Sequence, residues 1–111
     1  MNLSDNFTII EAIRSSKAIE KGIDNSMSKV IEKDADWFAD TVLQPVRTKI
    51  GIPFDITSWY RCPKLNKVVG GVSNSAHLSG TAIDVGVRGK NTKESFNLIL
   101  AALKDLKVSF D

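Results

Sequence analysis

Ser75–Ala76–His77–Leu78–Ser79–Gly80–Thr81–Ala82–Ile83–Asp84–Val85 is the stretch around which this chain is organised. It carries the protein's one histidine, and a carboxylate comes seven residues later. Small residues surround the pair: Ser75, Ser79, Gly80, Ala82 and Gly86 stand where an ordinary core strand would carry bulk. An imidazole nitrogen and a carboxylate oxygen on either side of a glycine turn can converge on one divalent cation, and zinc accepts both donors. After the turn the pattern alternates. Ile83, Val85 and Val87 share one side of an expected strand, while Ala82, Asp84 and Gly86 share the other. The stretch therefore reads as strand, turn and strand, with Asp84 on a face that has room for a metal and a substrate.

Upstream, Phe54–Asp55–Ile56–Thr57–Ser58 alternates and is predicted to be a strand. Trp59–Tyr60–Arg61–Cys62 leads out of it, and Pro63 opens a short helix from Lys64 to Val69 that Gly70–Gly71 stops. The longest helical pattern runs from about Ser28 to Ile50 and repeats apolar residues at Val30, Ile31, Ala35, Phe38, Val42, Val46 and Ile50. Pro45 is predicted to kink or divide that helix near Gln44, because it lacks an amide donor and clashes with the preceding turn. Gly51 ends it, and Trp37, Phe38 and Val42 are expected in the core. Nearer the start, Thr8–Ile9–Ile10–Glu11 has capping-box form, and Phe7, Ile9, Ile10 and Ile13 would be its apolar face. A second short helix over Ser16–Lys21 stops at Gly22; Asp24–Asn25–Ser26 turns, and Ser26 or Ser28 caps the long helix. Downstream, Thr92 starts a helix whose expected apolar face is Phe96, Ile99, Leu100, Leu103 and Leu106. Lys107–Asp111 begins to look like a strand.

Composition sets the bounds. The 111 residues, 42% of them apolar, suit a single domain with a real core. Lysine and arginine total 15 against 13 acidic residues, a formal charge of +2 that gives no argument for a nucleic-acid partner. Cys62 is alone, which excludes an intrachain disulfide and a cysteine zinc cluster. Met1–Phe7 lacks a basic segment leading into an apolar one, and no apolar run reaches membrane-spanning length. The expectation is a chain without a signal peptide or membrane span, cytoplasmic as made. The fold class expected is α+β, a small antiparallel sheet packed against several helices. A catalytic zinc usually takes three protein ligands. His77 and Asp84 supply two, and Cys62 or Asp111 is a chemically possible third that spacing does not single out.

The pieces together resemble the zinc D-alanyl-D-alanine carboxypeptidases and related phage and bacterial peptidoglycan peptidases. The resemblance is carried by Leu43–Gln44–Pro45–Val46–Arg47, by Ile56 through Asn66, by Val69–Gly70–Gly71 and by Ser75 through Asp84. Phe7–Glu11 and Gly22–Asn25 look similar to phage-type members, so nearly all of the chain is covered. The resemblance implies a hedgehog/DD-peptidase-like fold and a zinc cofactor held by His77 and Asp84. It implies Arg61 as the group that contacts substrate and offsets transition-state charge, Ser75 near the substrate and Tyr60 as a shaping residue. The implied substrate is a peptidoglycan stem peptide, cut by a carboxypeptidase or endopeptidase at the bacterial cell wall after lysin-like delivery. The family's pattern continues into a strand bearing an acidic general base three residues before a histidine, the third ligand. Residues 1–111 are therefore expected to form a peptidase-like domain that is incomplete at its C-terminal end. The alternatives are a non-catalytic binder of cell-wall peptide and a phage structural protein that keeps the fold. Trp59 stands where these peptidases often have glycine, and is expected to narrow the cleft or cover its rim.

Overall fold

The computed structural model describes residues 2–106, so the strand expected at Lys107–Asp111 and the candidate ligand Asp111 lie outside the described residues. Asn2–Ser4 (β1) and Phe7–Thr8 (β2) form a small antiparallel hairpin that buries Leu3 and Phe7. Thr8 then caps Ile9–Ile13 (α1). Glu11 donates its amide to Thr8 Oγ1 (3.1 Å) and returns a carboxylate to the Thr8 amide (3.0 Å), which completes the expected capping box. So short a helix cannot turn every apolar residue inward. Ala12 is buried and Ile10 is exposed, contrary to the expected face. Ser16–Lys21 (α2) stops at Gly22, whose φ of 64° lies in the left-handed region that favours glycine.

Ser28 caps Lys29–Phe38 (α3), as one of the two expected candidates. The predicted break at Pro45 is relocated. α3 runs without interruption into a π-helical segment, Ala39–Leu43, and then into Gln44–Ile50 (α4). The Gln44 amide reaches back to the Ala39 carbonyl, one residue further than in an α-helix. This widened turn, lying before Pro45, accommodates the proline's missing donor and ring without a sharp kink. The buried stripe along this helix is narrower than the predicted one. Ala35, Ala39, Leu43 and Val46 face the core, Val42 is half-buried, and Val30 and Trp37 are exposed at 72% and 58%. The expectation that Trp37 is a core residue is thereby corrected.

Phe54–Ser58 (β3), with the predicted bounds, leads through Trp59–Cys62 into Pro63–Val68 (α5). β3 pairs antiparallel with Asp84–Val87 (β4) in the register Phe54↔Val87, Asp55↔Gly86 and Ile56↔Val85. The register then slips so that Ser58 opposes Asp84. A bulge of this kind re-aims side chains at the end of a pair, and here it lies beside Asp84. Thr92–Asp105 (α6) is capped by Asn91, which shares a capping box with Glu94. Its buried positions are Ser95 and Ala102, with Leu98, Ile99 and Leu103 packed beside them, while Phe96 is exposed. The expected face is thus rotated. The Ser95 hydroxyl accepts the Val87 amide at 2.9 Å, which draws that side of α6 onto β4.

The result is α+β as expected, with small antiparallel sheets against helices. Among the described residues no helix is long and apolar enough to cross a membrane. The core gathers Leu3, Phe7, Leu43, Val46, Phe54 and Val87 around Trp59, which is 1% exposed. The indole meets Phe7 edge-on at 6.0 Å and Phe38 at 6.3 Å.

Candidate metal and substrate site

Three residues from separate elements meet at the bulged end of the β3–β4 pair. Asp84 Oδ2 lies 3.5 Å from Arg61 Nη2 and 3.7 Å from His77 Nε2. The arginine and histidine side chains are largely enclosed, at 17% and 12% exposure, whereas Asp84 is open at 56%. A charged face therefore opens outward from a closed floor.

His77 reaches this point by a route other than the expected strand. Ser75 caps a 3₁₀ turn, Ala76–Ser79, by accepting the His77 amide at 3.2 Å, and Gly80 ends it with φ of 73°. The close approach of this turn to α3 explains why position 80 is glycine. A Cβ on Gly80 would lie 3.0 Å from the Ala35 Cβ, so two backbones approach where larger residues would hold them apart. Strand structure begins only at Asp84. The reading of strand, turn and strand is corrected to turn and strand.

Trp59 holds this turn in place. Its indole N–H donates to the Gly80 carbonyl at 2.8 Å, and its own carbonyl meets His77 Nδ1 at 2.5 Å. The Arg61 amide also donates to the His77 carbonyl at 3.1 Å. Trp59 is therefore a core anchor and lies away from the cleft rim where it was expected: an indole this large gains most by burial, and its N–H finds a partner inside. A carbonyl can only accept, so Nδ1 carries a proton, and in the neutral ring Nε2 is the nitrogen left to turn its lone pair toward Asp84.

These donors fit a zinc ion as a pair. Ligands at about 2.0–2.1 Å from a tetrahedral zinc stand about 3.3 Å apart, close to the 3.7 Å found here. Among the described residues no cluster of three or more histidine, cysteine or acidic side chains is present. Cys62, a chemically possible third ligand, joins no such cluster. Its Sγ accepts the Leu65 amide at 3.5 Å as the cap of α5.

Arg61 is anchored on its inner side. Nε donates to Ser58 Oγ at 3.3 Å and Nη1 to Asn66 Oδ1 at 3.2 Å. Ser75 serves as the cap already described. Tyr60 is 4% exposed, donates its amide to the Ala12 carbonyl at 2.9 Å, and has its phenol pKa raised by burial and secondarily by Cys62. The geometry thus joins Arg61, His77 and Asp84 directly, while Ser75 and Tyr60 support their backbone.

Two asparagines carry no sign of their role in the sequence. Asn25, 7% exposed, donates to the Ile13 and Tyr60 carbonyls at 2.9 and 3.0 Å and accepts the Cys62 amide at 2.7 Å. Asn66, 3% exposed, is the partner of Arg61. Both close stretches that carry the family resemblance, but nothing local foretells these bonds, since an asparagine in a turn or short helix is ordinarily solvated. Beside Asp84 a cavity of about 520 Å³ runs between β4 and α6, lined by Thr57, Ile83, Val85, Ser95, Phe96 and Ile99.

The α+β domain thus sets an imidazole and a carboxylate at metal-ligand separation beside an anchored arginine. Residues 5–108 match the family model described as Peptidase M15, and the chain belongs to that family of zinc, D-Ala-D-Ala carboxypeptidase-like peptidases. No curated protein and no solved structure gives a match.

Proposed function

We propose that the chain is a zinc-dependent peptidoglycan peptidase, of D-Ala-D-Ala carboxypeptidase or endopeptidase type, acting on stem peptides at the bacterial cell wall. The observation that carries this reading is the convergence of Arg61, His77 and Asp84 in a chain of the M15 family. His77 Nε2 and Asp84 Oδ2 would hold the metal. Zinc supplies a Lewis acid that polarises the scissile carbonyl and acidifies water. The chain's own contribution is to bind and orient. Arg61 presents Nη2 on the open side of its anchors, where a guanidinium can pair with a peptide carboxylate or with charge that grows on a carbonyl oxygen. The Asp84 groove, walled by Ile83, Val85, Phe96 and Ile99, offers an apolar seat to the flanking peptide.

The test is metal uptake together with cleavage. Elemental analysis of protein prepared without chelator should find about one zinc per chain, lost on His77→Ala. With zinc present, a stem peptide ending in D-Ala-D-Ala, or purified cell wall, should release products that mass spectrometry identifies and that disappear in the same variant. Wild-type protein that neither takes up zinc nor binds the peptide would sink the reading. Peptide binding without cleavage would instead favour the non-catalytic alternative.

A further inference from the structure

We propose that Asn66 is the positioning residue for Arg61, and that Gly71 is glycine to make room for it; this rests on the reading of Arg61 as the substrate-anion contact. An arginine side chain loses rotamer entropy when it is held in one geometry, so a guanidinium fixed before binding retains more of its interaction with a ligand. Arg61 has three partners in the structure, and they differ in how firmly they are held. The Ser58 hydroxyl rotates about its own bond and is half-buried. Asp84 is 56% exposed and is also the candidate metal ligand. Only Asn66, at 3% exposure, is buried.

Every polar group of Asn66 is engaged. Its amide donates to the Cys62 carbonyl at 2.9 Å, and its carbonyl accepts the Gly71 amide at 2.8 Å. Its side-chain Nδ2 donates to the Val72 carbonyl at 2.8 Å. That last bond fixes which way the carboxamide points, because a flipped group would set its NH₂ against the guanidinium and its oxygen against a carbonyl. Oδ1 is left as an acceptor of fixed direction, 3.2 Å from Arg61 Nη1. The carboxamide occupies the space a side chain at position 71 would need. A Cβ on Gly71 would overlap Asn66 Oδ1 and lie 3.0 Å from Arg61 Nη1. Gly70 and Gly71 therefore have separate reasons to be glycine. Gly70, with φ of 78°, makes the turn, while Gly71 admits the Asn66–Arg61 contact.

The test reads the order of the arginine directly. In ¹⁵N-labelled protein, the Arg61 Nε–Hε group should show a heteronuclear NOE like that of the rigid backbone. In Asn66→Ala it should fall to the level of an exposed arginine such as Arg14. Asn66→Asp loses the bond to the Val72 carbonyl just as the alanine does, but keeps an acceptor for Nη1. It should therefore restore the Arg61 NOE, which separates positioning from general loosening of the loop. Binding of a D-Ala-terminated stem peptide should weaken about tenfold in Asn66→Ala and stay near wild type in Asn66→Asp. An Arg61 signal as ordered in Asn66→Ala as in wild type would overturn the proposal, as would equal disorder in both variants. If Asn66→Ala does not fold, Gly71→Ala serves in its place: displacing the carboxamide should release Arg61, and a retained NOE would count against the inference. Wild-type protein that ignores the peptide while Arg61 order follows Asn66 would sink the peptidase reading and leave the positioning role standing.

Discussion

His77 Nδ1 lies 2.5 Å from the carbonyl oxygen of Trp59, a residue 1% exposed at the centre of the core. The candidate ligand is thus held by a residue of the buried core, although it sits on a turn closed by Gly80. The same contact selects the tautomer that leaves Nε2 free toward Asp84.

That tautomer can be observed. Long-range ¹H–¹⁵N spectra at a pH of about 8.5, well above the ordinary histidine range, should show Nδ1 protonated and Nε2 unprotonated. A dominant Nε2–H form would mean the Trp59 carbonyl does not orient the ring.

A zinc ion held as proposed would compete with Arg61 for one carboxylate oxygen, since Nη2 lies 3.5 Å from Asp84 Oδ2. Arg61→Met should therefore tighten zinc binding by roughly three- to tenfold, the size expected for removing a screened charge at this distance. The same variant should weaken peptide binding by at least about tenfold. Calorimetric titrations with each ligand separate the two effects, and weaker zinc binding in Arg61→Met would contradict the competition.

Gly80 and Gly89 both have positive φ, 73° and 79°, but only Gly80 faces a neighbour. Gly89→Ala should cost about 1–2 kcal/mol, the backbone penalty alone. Gly80→Ala adds overpacking against Ala35 and should cost about 2–4 kcal/mol, read by urea denaturation. Part of that loss should return in Gly80→Ala combined with Ala35→Gly. Equal losses at the two glycines would show that α3 gives way freely.

Asp24 accepts hydrogen bonds from the Ser26 hydroxyl at 2.6 Å and the Ser26 amide at 3.0 Å, which lower its pKa from the ordinary 3.8. Its contribution to stability is accordingly complete above pH 3.8 and is lost as pH falls through the lower folded-state value. In an NMR titration the Asp24 carboxyl should turn over below 3.8, and Ser26→Ala should move the midpoint upward. An unchanged midpoint would show that the hydroxyl bond does not form in solution. The turn matters to the site because Asn25, between these residues, clamps the Tyr60 carbonyl and the Cys62 amide.

Much of the fold is legible in the sequence because its signals are local. Thr8 with Glu11, Ser28, Pro63 and the stops at Gly22, Gly51 and Gly70 each act over a few residues, so neighbours in sequence suffice to read them. The alternation through Val87 likewise foretells which side of β4 turns inward. The errors fall where a distant partner decides. The inward face of α6 depends on a Ser95 bond to β4. Trp59 is buried because Phe7 and Phe38, remote in sequence, close over it.

The sequence by itself pointed to His77 and Asp84 as a pair, to Arg61 beside them through the family resemblance, and to the family of zinc, D-Ala-D-Ala carboxypeptidase-like peptidases whose model the chain matches. Only the tertiary structure decided how they are held: that Trp59 orients the imidazole, that Cys62 caps α5, and that Asn66 and Asn25 fix the segment carrying Arg61. The physical reason is that these are hydrogen bonds between groups brought together by packing. A buried asparagine or carbonyl owes its role to its direction and its desolvation, and neither is set until the chain has folded.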